Sequence, residues 1–145
     1  MIDDLRHHFA TRLQLPADAA AWLLDLWRVI QVWDDVADGD PIDRAALDDA
    51  ILTSLVGLPS NKFYLANAAH LAPVLALAVA KWKASDDAER AKQADERSFV
   101  WRASYYDVVL MVVMLCHGAA AALAVSRDVM HLYGEKFAAY RKDFK

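Results

Sequence analysis

The sequence predicts an all-α fold, a compact bundle of about five to six helices forming a single domain over residues 1–145. Three observations carry that prediction. Alanine, the strongest helix former, occurs twenty-eight times. Four glycines and four prolines fall at intervals that cut the chain into helix-sized pieces. β-Branched runs bounded by turn residues are nearly absent, which leaves little material for strands.

The first helix is expected from about Asp3 to Leu13, with Leu5, Phe9 and Leu13 repeating at i, i+4 and i+8. Pro16 suits the first turn of a second helix, which should run to Asp38 and stop at Gly39. In Asp40-Pro41-Ile42-Asp43, an N-cap and an N1 proline open a third helix, with Leu47, Ile51 and Leu55 as its buried stripe. Gly57-Leu58-Pro59-Ser60 ends it. A fourth helix covers about Asn61 to Lys83, interrupted or kinked at Pro73. Asp86 with Glu89 three residues on has the pattern of a capping box. It would open a fifth, long, central apolar helix reaching His117-Gly118. A sixth helix spans Ala119 to Tyr133, and a turn-rich segment, Glu135 to Lys145, follows Gly134.

Composition narrows the function. A net charge of −4 and a pI near 5.6 argue against nucleic acid as a partner, because such binders present a basic surface. A single cysteine, Cys116, excludes an intramolecular disulfide framework and a thiolate zinc cluster. Met1-Ile2-Asp3-Asp4 opens acidic, unlike a secretory signal, so a cytoplasmic location is expected.

Val108 to Val125 carries no formally charged side chain over eighteen residues, the lower limit for spanning a bilayer. Phe63 to Ala80 is similar, although Asn67, His70 and Pro73 interrupt it. Against a membrane protein stand a mean hydropathy of only +0.13, spans made mostly of alanine and valine, and the His117-Gly118 break. Alanine is a weak insertion driver and a common packing residue between helices. The balance favours a soluble bundle. Its surplus of apolar helical surface points to a homo-oligomer, in the simplest case a homodimer.

One motif goes beyond packing. On the second helix, Gln31, Asp34, Asp35 and Asp38 share the face opposite the core residues Trp22, Leu26, Val29, Ile30, Trp33 and Ala37. Three carboxylates thus stand within two turns at a helix C-terminus, where the macrodipole disfavours negative charge. A divalent cation would remove that conflict, and Mg²⁺ is typically held by one or two carboxylates plus substrate phosphates. On this reading Asp34, Asp35 and Asp38 hold metal. Gln31 orients water, Arg28 or Arg102 meets phosphate, and Trp27 lines the pocket edge. The simpler reading has Asp38 terminate the helix, Asp40 cap the next, and Asp34 and Asp35 face water.

Asp34-Asp35-x-x-Asp38 is similar to the aspartate-rich DDxxD motif of isoprenoid diphosphate synthases. That resemblance implies Mg²⁺ and a diphosphate at a helix end of an all-helical enzyme. The chain is about half the usual length of that family and has no second aspartate-rich motif, so a complete synthase is not implied. Asp35-x-x-Asp38 also resembles one acidic pair of the all-helical nucleotide pyrophosphohydrolases, without a facing ExxE or ExxD. Leu15 to Asp40, Trp82-Lys83 and Glu135 to Tyr140 together resemble small uncharacterised helical proteins of tailed phages and prophages, a likeness that implies no known activity.

Asp107 follows Tyr105 and Tyr106 and precedes a long apolar run, so it needs a partner: Arg102, Arg97 or a tyrosine hydroxyl. A structural ion pair is favoured over a second-shell carboxylate facing the acidic motif. His70 and His117 are expected as satisfied core histidines, and Cys116 as an inert thiol. The basic tail, Lys136, Arg141, Lys142 and Lys145, interleaves Phe137, Tyr140 and Phe144, as a surface helix or partner-binding segment would. The sequence thus favours a homo-oligomeric helical protein working through protein contacts. The alternative is a Mg²⁺-dependent enzyme acting on a diphosphate or nucleotide.

Overall fold

The computed structural model describes residues 1–144, which form eight helices and no strand. These are α1 (Ile2–Thr11), α2 (Ala17–Asp38) and α3 (Arg44–Leu52), the last continuing through a π-helical turn, Thr53–Gly57, and a closing turn, Leu58–Ser60. Then follow α4 (Lys62–Arg90), α5 (Glu96–Trp101), α6 (Tyr105–His117), α7 (Ala119–Met130) and α8 (Phe137–Asp143). The all-helical class is as expected. The helix count exceeds the predicted five to six because short caps and turns divide the second half more finely. Two compact units divide the chain, Met1–Ala68 and Ala69–Lys145.

In the N-terminal unit, Leu5, Phe9 and Leu13 are buried, as their spacing requires, together with Leu15, Ala19, Trp22, Leu23 and Val29. Trp22 stacks on Tyr64 with ring centroids 5.5 Å apart. Asn61 caps α4: its Oδ1 accepts from the Tyr64 N–H at 3.1 Å, while its Nδ2 donates to the Asp18 carbonyl at 3.0 Å. Gly39 ends α2 at φ +75°, a left-handed conformation that glycine adopts without penalty. There the Gly39 N–H bonds the Val36 carbonyl and the Asp40 N–H bonds the Asp35 carbonyl, completing a Schellman stop.

That stop uses Asp40 as the closing residue of α2, so the expected cap of α3 at Asp40 is not formed. The helix begins instead at Arg44, with Asp43 at the N-cap. Its buried side is Ala50 and Thr53 with half-buried Leu47, while Ile51 and Leu55 face outward, contrary to the expected stripe. The small residues of this helix turn inward, and the larger ones face solvent. The π-helical turn precedes Pro59, which offers no N–H to the Leu55 carbonyl. The Ser54 hydroxyl bonds the Ala50 carbonyl at 2.6 Å and Ser60 bonds that of Val56, contacts that bend helices.

In the C-terminal unit the expected long helix from Asp86 to His117 is replaced by three pieces. Asp86 does not cap; α4 continues past it because Lys83–Asp87 and Asp86–Arg90 are i, i+4 ion pairs that reward helix. The chain then turns at Lys92, at φ +58°. Asp95 forms the true capping box, accepting from the Ser98 N–H at 3.2 Å while the Ser98 hydroxyl accepts from the Asp95 N–H at 2.8 Å. The long apolar helix is therefore α4, 29 residues, and it runs through Pro73. Gly118 at φ +93° joins α6 and α7 into a helical hairpin. Val108, Val109, Val112, Val113, Ala122 and Val129 form its core. The segment after Gly134, expected to be turn-rich, is the helix α8. Most of its positions are exposed, as in the expected surface helix, and buried Tyr140 anchors it through ring contacts with Phe99 and Phe144. Lys145 of that tail lies outside the described residues.

Candidate functional site

The last turns of α2 emerge from the core. Trp33, expected inside, is exposed beside Val36, and the helix terminus carries no basic residue in its final turn. Asp34 is half-buried, while Gln31, Asp35 and Asp38 are exposed. Trp27 is half-buried one turn earlier. Arg28 is engaged: its guanidinium holds Asp25 at 2.6 Å and Asp49 at 3.1 Å, tying α2 to α3. Among the described residues no group of three or more His, Cys, Asp or Glu converges closely enough to hold a metal ion. Asp34, Asp35 and Asp38 thus share a face without forming a preformed ligand set, and a bound Mg²⁺ would have to draw them together.

Arg102 and Asp107 belong to the C-terminal unit, where each has partners of its own. Arg102 lies largely buried between two carboxylates, 3.6 Å from Glu89 and 3.5 Å from Glu135. The rings of Tyr140 and Phe144 cover it, with centroids 5.1 and 5.5 Å from the guanidinium carbon. Glu89 also accepts from the Ser85 hydroxyl and the Tyr140 phenol, both at 3.2 Å, and the Tyr140 oxygen lies 2.6 Å from that of Ser98. The Tyr133 phenol donates to Glu135 at 2.5 Å.

Burial pushes the Tyr133 phenol well above its ordinary range, and the Glu135 bond and charge add to the shift. Burial is also the largest cause for Tyr140, which rises despite the Ser98 bond. Tyr106 is pushed up to about 12 by burial alone. All three phenols are protonated at neutral pH and act as donors, not nucleophiles. The arginine is matched by carboxylates rather than open to an anion. This is a charge-paired polar core, and its members come from α4, α5, α8 and the turns beside them. Sequence reasoning missed it because no local spacing links Glu89, Ser98, Glu135 and Tyr140.

Asp107 pairs with Lys81 across α4 and α6, Nζ to Oδ2 2.7 Å, a partner the sequence did not single out. The pair edges an open groove of about 390 Å³ walled by Val74, Leu77, Ala84 and Trp101. Both charges are half-exposed and neutralise each other, so the groove offers apolar contact with one polar edge. His70 and His117, expected in the core, are both exposed. No protein-family model, curated protein or solved structure matches the chain.

Proposed function

We propose that the chain is a homo-oligomeric helical module that works through protein–protein contacts, as the sequence favoured. The observation that supports this most is α4. Only 17% of its most apolar eighteen residues are buried, although among the described residues it is the one helix long and apolar enough to cross a membrane by length and composition. Leu65, Leu77 and Val79 are exposed to 62%, 68% and 63%. Apolar area left in water forgoes about 25 cal/mol per Å², and an excess of exposed apolar surface marks a site of interaction. The engagement of Arg28 and Arg102 by carboxylates also favours this reading over phosphate chemistry, because neither guanidinium is held open for an anion.

The same helix is long enough to cross a bilayer, and the decisive experiment separates the two environments. Sedimentation velocity of the detergent-free full chain, across a range of concentrations, is expected to show a dimer or larger assembly. Leu77→Glu with Val79→Glu is expected to shift it to monomer with its helical circular dichroism intact. A chain that stays monomeric at high concentration, or that is recovered only with membranes or detergent, would refute the proposal.

A further inference from the structure

A second apolar surface, wholly within the N-terminal unit, has a chemistry of its own. Ile51, Leu52, Leu55 and Val56, on α3 and its π-helical continuation, are all exposed, Leu52 to 61% and Leu55 to 73%. They occupy the side opposite Ala50 and Thr53, which pack inward. Asp48, also exposed, precedes Ile51 by three and Leu52 by four residues, so it stands on the same stripe one turn earlier, where it meets Arg44 at 3.3 Å in a solvent-exposed pair that a partner's cation can replace. Residues 34–49, leading into this ridge, contain seven Asp against a single Arg. The unit as a whole has eleven Asp, no Glu and five Lys and Arg, a net charge of −6.

We propose that this ridge docks a positively charged amphipathic helix of a partner protein, its apolar face on Leu52 and Leu55 and its Lys or Arg residues against the flanking aspartates. Laying an apolar helix face on an apolar stripe is a recurring mode of peptide recognition, and complementary charge sets its specificity and speed. Charge argues against the other occupants. Anionic lipid surfaces repel a unit of −6, and a second N-terminal unit across a two-fold axis would set like charge against like. The proposal is independent of self-association through α4, which rests on different residues.

The test uses the full chain and a fluorescein-labelled amphipathic peptide of about eighteen residues, leucine on one face and lysine on the other, read by fluorescence anisotropy. Binding is expected, weakening as salt rises, and about tenfold weaker to Leu52→Ser with Leu55→Ser. Both leucines are exposed, so native circular dichroism is expected for that variant. A glutamate version of the peptide is expected not to bind. The proposal is overturned if the lysine peptide does not bind, if it binds wild type and variant equally, or if the glutamate peptide binds as well. It is equally overturned if the chain associates with phosphatidylglycerol vesicles and the double substitution abolishes that association.

Discussion

The two units handle charge in opposite ways. The N-terminal unit, at −6, keeps its carboxylates outside an almost wholly apolar core in which Thr53 is the one buried polar residue among those described. The C-terminal unit carries nine acidic and eleven basic residues, a net +2, and draws polar groups inward: Ser85, Ser98 and Ser104 are buried, and Arg102 lies between Glu89 and Glu135. In the first unit, charge is a surface property that governs what the unit attracts, at a modest cost in self-repulsion. In the second, charge is part of the packing, and each group depends on the others to offset its desolvation.

The largest expected effect tests that contrast with two arginines. Arg102→Ala leaves Glu89 and Glu135 without their shared cation in a mostly buried setting, and a loss of about 3–5 kcal/mol is expected. Arg28→Ala also removes an arginine from two carboxylates, but these pairs face solvent, and a loss of about 0–1 kcal/mol is expected. Urea unfolding of the two variants, with shared slopes, measures both. Equal losses would break the contrast between inner and outer charge.

Alkaline pH should act on the C-terminal unit through its phenols. A phenol whose folded pKa is raised keeps its proton in the folded state after the unfolded chain has lost it. Its stabilising contribution is complete below about pH 10 and disappears as pH rises through the folded value, which for Tyr106 is about 12. Each such group lowers stability by about 1.4 kcal/mol per pH unit within its window. Tyr105, Tyr133 and Tyr140 are shifted in the same direction, burial being the first cause in each. Unfolding free energies at about pH 9 and about pH 11 should therefore fall steeply for wild type, and by about 1 kcal/mol less for Tyr106→Phe. At the acid end the sign reverses. Asp95, held low first by the Arg97 side chain, and Asp87, held low first by Lys83, contribute stability that is present above pH 4 and lost as pH falls below it.

What the sequence made legible follows the range of the interactions. Patterns closed within one or two turns were readable: the i, i+4 stripe Leu5-Phe9-Leu13, the Gly39 stop and the glycine break at Gly118. Where two local signals compete, the more conspicuous one is not the one the fold uses. Asp40-Pro41 suggests a cap, but Asp40 already closes α2; Asp86 and Glu89 suggest a capping box, but ion pairs carry the helix past them. On α3, hydrophobicity alone puts Ile51 and Leu55 inside, whereas the small Ala50 and Thr53 are the residues that turn inward. Asp34, Asp35 and Asp38 were found on one face, as helical periodicity dictates. The Arg102 cluster was invisible because its members are far apart in the chain, Glu89 and Tyr140 by fifty-one residues.

The smallest expected effect concerns the acidic end of α2, where the surface charge of the N-terminal unit is densest on a helix. Asp34→Asn with Asp35→Asn removes two negative charges from the C-terminal half of α2, where the dipole disfavours them and the final turn supplies no basic residue. Relief of that conflict and of the i, i+3 and i+4 repulsion with Asp38 should raise stability by a few tenths of a kcal/mol at low salt. The gain should shrink as salt rises, since exposed charges are screened. Thermal unfolding with EDTA and then with Mg²⁺ gives the same pair of proteins a second use. If these carboxylates serve only as surface charge, the two melting temperatures move together. A site occupied at about a hundred times its Kd adds roughly 2.7 kcal/mol, several times the electrostatic gain. A Mg²⁺-dependent rise confined to wild type would therefore make the acidic end of α2 a cation site, and the contrast between the units would become one between a ligand-dependent charge cluster and one whose charges pair with each other.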